Sequence, residues 1–579
     1  MVFSNLGGIY YTESYEERDY DDGGSIPCFI GRTINPRKDW SVNAQAELYR
    51  EKAIDELYKE KALEELASAT PPVENPTEAQ ITAKIEELKA DSANAPTEAQ
   101  ILERVTQITG SNDANRKPTA NEISTRAEKL KNDEVAKHRI NQLQVFTNFS
   151  QVNKSTLDEE GKLEGLGNYE TDWWDNPLLS CIHDFCEEVQ MMTEEYVACP
   201  YFYVIDLGLA DTLDQWIASI ETSKSKREID FEVYVGFDGV KDTKMTEATS
   251  DDVVDDETNW SVYESFILAV NYDLYVNRQF IGDFRKAFFT VPLKYDKDPK
   301  VTVNGVEEDN PGYNKYYGPW YYKENYKAID KELIKLAGDL TGLNNNGTVD
   351  IYDSFFTKSD ETDEYDGTVS YKSTNSISKS RTYIVEPLNF GHTIGRISIT
   401  PYDMEPGYYE YNMLDVSDII LRKPSEQLKL QLGGVIFNHL EETSDEEYVK
   451  INRTQAVSSN LIEHPPDALF QARHLCDELL TRLFDTCYPQ LKNKETETNI
   501  SYLQTEINKV VNDAIGDGDF IPPYTIDNET KGTAIQVTEA DDDAYDLMLT
   551  GTIQPVNCTY TINIVAQIND AKIQLTQNG

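Results

Sequence analysis

Cys181, His183 and Cys186 stand within six residues in the stretch CIHDFC, and Cys199 follows downstream. Four soft ligands of this kind are what a zinc ion takes. The spacing fits no standard zinc knuckle, and Ile182 and Phe185 between the sulfurs favour a helix with buried thiols, so no metal site is assigned. In NNNGTVDIYD, residues Asn344, Asn346, Gly347, Asp350 and Asp353 match the third, fifth, sixth, ninth and twelfth positions of a calcium loop. Its first position is Gly342, where a carboxylate is expected, and its last is Asp rather than Glu. Asn-Gly also makes plain turns, so calcium at 342–353 and a bare turn both stay open. His392 lies in GHTIGR and His464 precedes two prolines; neither has a nucleophile and an orienting group around it in sequence. Acid pairs occur throughout and carry no information. No catalytic residue is assigned. No cofactor is expected either, because the chain has neither G-x-G-x-x-G nor G-x-x-x-x-G-K-[ST].

The elements that would position such residues belong to a long, acidic chain. Its 579 residues suggest roughly two to four domains. Hydrophobic content of 39% with 35 tyrosines is enough to fold most of it. A net charge of −50 argues against nucleic acid and against anionic membrane as partners. No apolar run approaches the length of about 18 residues that spans a bilayer. The first residues lack a basic start followed by an apolar stretch, so no secretory signal is expected. Seven scattered cysteines, an odd number, read as reduced thiols.

Residues 43–67 read as helix. An internal repeat follows: PTEAQITAKIEEL from Pro76, PTEAQILERVTQI from Pro96 and PTANEISTRAEKL from Pro118. Thr77–Gln80, Thr97–Gln100 and Thr119–Glu122 are capping boxes, in which each side chain satisfies a free N–H of the helix start. Behind each box stands an apolar triplet: Ile81, Ile85, Leu88; Ile101, Val105, Ile108; Ile123, Ala127, Leu130. Its spacing fills one helix face. Helices this short must pack on one another or on the helix before them. From Cys199 the texture changes. CPYFYVIDLG, DFEVYVGF and KAFFTVPL read as strands. They alternate with a helix that Asp211 could cap and another near 261–285, which indicates a βαβαβ unit with a parallel sheet. Late helices carry stripes at Leu469, Ala472, Cys476, Leu479, Leu483, Cys487 and at Ile500, Leu503, Ile507, Val510, Ile515. TYTINIVAQI alternates as a half-exposed strand, and a short strand at 572–576 follows.

Strands also stand at the chain's first residues, in GGIYYTESYEERDYDDGGSIPCFIGRT. Ile9 to Thr12 is β-branched and aromatic, a charged loop follows, and Pro27 to Ile30 turns apolar before Gly31. A strand so near a terminus frays unless something pairs with it.

That opening, together with KAFFTVPL, YNKYYGPWYY, VEPLNFGHTIGRISITPYDMEPGYYEYN, LGGVIFNHL, INRTQAV and GTIQPVNCTYTINIVAQI, in this order, resembles the contractile tail sheath proteins of myovirus-type bacterial and archaeal viruses. The match covers about half of the chain as patches; the helical repeat and the stretch around 299–383 depart from it. The resemblance implies a multidomain α/β (α+β) fold, with a mixed sheet core flanked by helices, an inserted all-helical module and strand arms at both termini. The division expected is an N-terminal arm at 1–15, the start of the sheath core at 16–40, the helical module at 41–145, an α/β domain at 146–298, a Tyr- and Asp-rich insertion at 299–383, the C-terminal core at 384–565 and a C-terminal arm at 566–579. Ile9, Tyr10, Tyr11 and Thr12, with Ala566, Ile568, Ile573 and Leu575, are the strand-arm residues that would add to a neighbour's sheet by main-chain hydrogen bonds.

The function implied is structural and not enzymatic. Copies would stack as hexameric rings around an inner tail tube protein, between baseplate and tail terminator proteins, and contract to drive the tube through a host envelope. Such a subunit belongs to the virion tail and is assembled in the host cytoplasm. A related contractile injection particle stays open as the setting. Two readings of other classes stand beside it: a hydrolase on a doubly wound α/β sheet, and a calcium-stabilised surface or adhesion protein.

Overall fold

The computed structural model describes residues 24–34, 38–172 (save 70), 176–190, 199–237, 283–290, 326–337, 381–401, 419–442, 447–452, 470–487, 497–526, 529–539 and 547–556, with short stretches between and after them. Two compact units emerge: Arg37–His138 with Glu159–Lys162, and the remainder.

The larger unit is built on a seven-stranded sheet. Its strands are β1 (Pro27–Gly31), β2 (Leu143–Phe146), β3 (Phe202–Asp206), β4 (Phe231–Val235), β5 (Lys286–Thr290), β6 (Thr382–Val385) and β7 (Val435–Ile436). They lie side by side in the order β7-β6-β5-β4-β1-β3-β2. Neighbours are parallel except for β2, which runs antiparallel to β3. Every residue of β1, β3, β4 and β5 is buried. That is why these strands read as nearly unbroken apolar runs: a parallel sheet is covered on both faces.

Helices α5 (Pro177–Gln190), α6 (Leu213–Ser223) and α7 (Phe390–Ile399) supply part of the cover. Ile30, Ile205, Tyr234, Phe289 and Ile384 pack with Trp216 and Ile220 of α6 on one face. Phe29, Val204, Val233, Phe288 and Val385 pack with Ile182 and Phe185 of α5 and Ile394 of α7 on the other. Alternate residues of one strand thus serve opposite cores, as the two-residue period demands. Of the expected βαβαβ unit, β3, α6, β4 and β5 are present; of the second helix expected near 261–285, Val262, Tyr263, Phe266 and Ile267 are helical and most other residues lie outside the described ones. Asp211 does not cap α6. Thr212 is the N-cap, and its N–H donates to Gln215 Oε1 at 3.1 Å.

Helices α5 and α7 touch through backbone. A Cβ on Gly391 would lie 2.3 Å from the Cys181 carbonyl oxygen, and one on Gly395 would lie 2.7 Å from Glu188 Cβ. The glycines of GHTIGR, four residues apart, are therefore a packing device. Further along, α8 (Phe470–Cys487) and α9 (Glu497–Gly516) share a core of Leu475, Leu479, Leu483, Leu503, Ile507 and Val511. The stripe on α8 passes through Leu475, with Cys476 and Cys487 only partly buried, and Leu469 lies outside the described residues.

The smaller unit is a spine with three short helices laid on it. The spine is α1 (Trp40–Ser68); the others are α2 (Glu78–Ala90), α3 (Glu98–Thr109) and α4 (Ala120–Lys137). All three capping boxes form: the N–H groups of Thr77, Thr97 and Thr119 donate to Gln80, Gln100 and Glu122 at 2.8, 2.9 and 2.7 Å. Leu88 packs on Tyr58 and Ala62, while Ile101 and Ile108 pack on Ala53. In the third repeat Ile123, Ala127 and Leu130 are only half-buried.

Each repeat also carries one cation at the same position, just before its central apolar residue: Lys84, Arg104 and Arg126. Lys84 meets Glu65 at 3.0 Å, Arg104 meets Glu56 and Glu60, and Arg126 meets Glu47 and Glu51 at 3.1 and 2.8 Å. On the spine, 47, 56 and 65 are nine residues apart, as are 51 and 60. Nine residues make two and a half turns, so successive repeats dock on alternate sides of α1, about 13 Å apart along its axis.

Candidate functional site

In an open parallel sheet, ligands settle beyond the carboxyl ends of the strands where the strand order reverses. Here that place flanks β1, which has β3 on one side and β4 on the other. The chain fills it with its own groups. Arg32 directly follows β1 and is fully buried. Its guanidinium donates to the Ala210 carbonyl from Nε at 2.9 Å and from Nη2 at 2.6 Å, and lies 5.8 Å from the centre of the Trp216 ring. Thr33 Oγ1 and the Gly208 N–H both donate to Asp206 Oδ1, at 2.6 and 2.7 Å. Beside them, a Cβ on Gly31 would sit 2.3 Å from the Val235 carbonyl oxygen. Among the described residues, the place that would cradle a phosphate is a hydrogen-bonded joint.

The CIHDFC residues do not converge on one point. Cys181 and Cys186 are buried on α5, and burial pushes both thiols up, away from the thiolate that zinc needs. Burial likewise pushes Cys199 up to about 12. His183 is engaged elsewhere. Its ring stacks on Tyr169 at 3.8 Å, Nδ1 lies 3.2 Å from Asp184, and Nε2 lies 3.4 Å from Glu187. The Tyr169 hydroxyl is pushed up to about 12 by burial and by those same carboxylates. His183, Asp184 and Glu187 are close enough to hold a cation, yet all three are half-exposed and already paired, so they form a surface ion-pair cluster.

His392 sits on α7, with Nδ1 3.7 Å from Glu188 Oε2, while Glu188 Oε1 accepts from Arg396 at 2.7 and 2.8 Å. Burial pulls the His392 ring down, but Glu188, Asp184 and Glu187 together hold it above its ordinary value. His464 lies outside the described residues, as does most of the 342–353 loop, of which Asp350 closes a short strand at Thr348–Asp350.

A buried polar chain at the start of α8 has no local sequence signature. Ser25 Oγ lies 3.2 Å from His474 Nε2, and His474 Nδ1 lies 2.8 Å from Lys286 Nζ. Lys286 is itself 3.2 Å from Asp477, which Arg381 grips with two bonds of 2.8 and 2.9 Å. The set resembles a nucleophile, a base and an orienting group, but the polarity is reversed. An ammonium only donates. Burial pulls Lys286 below its ordinary value while Asp477 holds it up; with the lysine charged, Nδ1 accepts from it, and Nε2 carries the proton and donates to Ser25. A general base for a serine needs the opposite tautomer. Ser25, 449 residues away in sequence, is what sequence spacing had no means to find.

The expected arm residues Ile9, Tyr10, Tyr11 and Thr12 lie outside the described residues. Ala566, Ile568, Ile573 and Leu575 fall in two antiparallel strands, Ile564–Asn569 and Lys572–Gln577, where Ala566 stands opposite Leu575 and Ile568 opposite Ile573. Among the described strands, these two pair with each other alone.

No protein family and no curated protein matches the chain. Among solved structures, it is similar to the helical sheath of the anti-feeding prophage in its contracted state, with 8% identity, a TM-score of 0.39, and coverage of 74% of this chain and 88% of the other. It is also similar to a chain of the anti-feeding prophage baseplate, with 11% identity, a TM-score of 0.36, and coverage of 68% and 80%. At these values the functional reading rests on features of the chain itself.

Proposed function

We propose that the protein is the structural subunit of a contractile sheath, polymerising as stacked rings around an inner tube and shortening to drive that tube through an envelope. The observation that carries this reading is the C-terminal hairpin, whose strands pair with each other and with no other described strand. A lone two-stranded hairpin is marginal in water, so a neighbour's strand is the natural third member. Ile9 to Thr12 of a second copy has the composition for that place. The ordered sequence resemblance supports the same reading, and so does the switch point, which among the described residues is taken up by the chain's own hydrogen-bonded groups. The baseplate, the tube, the terminator, the hexameric rings and genome delivery by a virus belong to this proposal. So do the arm and module boundaries.

A truncation tests it. Removing residues 1–15 should leave a folded monomer that sediments as a single species and forms no polymer. If the truncated protein loses its circular dichroism instead, the strand belongs to its own core and the arm reading fails.

A further inference from the structure

The buried chain through His474 has a consequence of its own, independent of how copies assemble. Ser25 lies just before β1, Lys286 opens β5, and His474 lies in the first turns of α8. One imidazole therefore ties three elements together. Ser25 is 1%, Lys286 1% and His474 4% exposed. The ring also stacks on Phe470, one turn earlier on α8, at 5.2 Å between centroids. Among the described residues, the charged groups around Lys286 and its partner Asp477 are Lys286 itself from β5, Arg381 from the residue before β6, Arg473 and Asp477 from α8, and Asp230 from the residue before β4. Three of these five are cations. Asp477, the nearest anion, is already shared among Arg381, Arg473 and Lys286.

The neutral ring with its proton on Nε2 satisfies this place on both sides: Nδ1 accepts from Lys286, and Nε2–H donates to Ser25. A second proton on Nδ1 would remove one of the two acceptors facing the ammonium, leaving Asp477 at 3.2 Å, and set two buried cations 2.8 Å apart. Like charges in a desolvated site repel strongly. Histidine is the side chain whose charge changes between about pH 5 and 8.

We propose that His474 is an acid-sensitive latch: neutral, it fastens the root of β1 and the start of α8 to β5, and on protonation it sheds Lys286 and loosens that corner. The neighbouring Arg381–Asp477 pair does not titrate in this range, so the loosening stays local. Ser25 keeps its backbone bond to the Ser398 carbonyl at 2.9 Å, and the centre of the sheet is untouched.

Hydrogen–deuterium exchange of the full-length protein tests it, with opening constants corrected for the intrinsic rate. Between about pH 7.5 and 5.5, opening of peptides spanning 24–31 and 470–479 should rise by up to roughly tenfold, the limit for one histidine, while the peptide spanning 202–206 stays unchanged. In His474→Gln, which cannot titrate, the rise should vanish. A wild-type protein with flat opening, or a variant that keeps the rise, overturns the latch. Imidazole nitrogen-15 NMR needs no variant. At about pH 7.5 the His474 ring should show the Nε2–H tautomer; a proton on Nδ1, or an imidazolium, contradicts the arrangement outright.

Discussion

The spine of the helical unit and the flank of the sheet are both held by arginine–carboxylate pairs, and the two sets have opposite designs. On the spine, Lys84, Arg104 and Arg126 repeat one contact three times, and their partners keep contact with water, from Glu56 at 28% exposed to Glu60 at 57%. At the sheet, no contact repeats. Arg381–Asp477, Arg285–Glu232, Arg396–Glu188 and Arg422–Glu386 each join segments distant in sequence, with both partners at 4% exposure or less. Exposed pairs contribute little and fade with salt. Buried pairs are costly to assemble, and costlier still to leave half-made. The spine pairs set register among short helices of like sequence. The sheet pairs lock particular strands and helices together.

Breaking a buried pair should therefore have the largest effect. Asp477→Asn leaves Arg381, Arg473 and Lys286 short of a counter-charge and should cost about 3–5 kcal/mol in urea unfolding of the larger unit. Its pH dependence has a definite sign. Burial alone would raise the Asp477 carboxyl, but the three cations hold it well below the usual range. The folded-state value is depressed, so the pair's contribution is fully present above the unfolded value of about 3.9 and is lost as pH falls below it. A variant as stable as the parent at neutral pH would erase the contrast between the two regions.

Next in size is the α5–α7 contact. Gly391→Val places carbon on the Cys181 carbonyl and should cost about 1–3 kcal/mol, read as a lower thermal midpoint. Smaller again is Thr97→Ala, which removes one capping box and should cost about 1 kcal/mol from the helical unit while leaving the sheet unchanged. Least is Arg104→Met, expected below about 1 kcal/mol and vanishing in high salt. If Arg104→Met proved as damaging as Asp477→Asn, the spine pairs would have to be more than register marks.

The helical unit was legible because its determinants are local. Each capping box spans four residues, and each triplet eight, so the sequence shows the whole of each device. The strands of β1, β3, β4 and β5 were legible for a similar reason, since burial on both faces writes an apolar run. What stayed hidden was where the strands go. Nothing in PCFIG says that β1 lies between β3 and β4, and the two-residue β7 is too short to announce itself. The site-level features were hidden most deeply. Arg32 as a plug, Gly391 as a close-approach residue and His474 as a hub all depend on partners from 178 to 449 residues away. In CIHDFC, by contrast, Ile182 and Phe185 between the sulfurs already pointed to a helix with buried thiols, and α5 with buried Cys181 and Cys186 is that helix.

Electron microscopy of the purified protein shows whether it assembles into a sheath by itself. With no tube present, the account predicts wide, short tubes or stacked rings that form without ATP and form more readily at moderate salt, since each subunit carries a net charge of −50 that screening must offset. Narrow, extended tubes should need the inner tube, because only a partner that binds the extended state can populate it. A small closed oligomer or a monodisperse monomer at all salt concentrations would contradict the account.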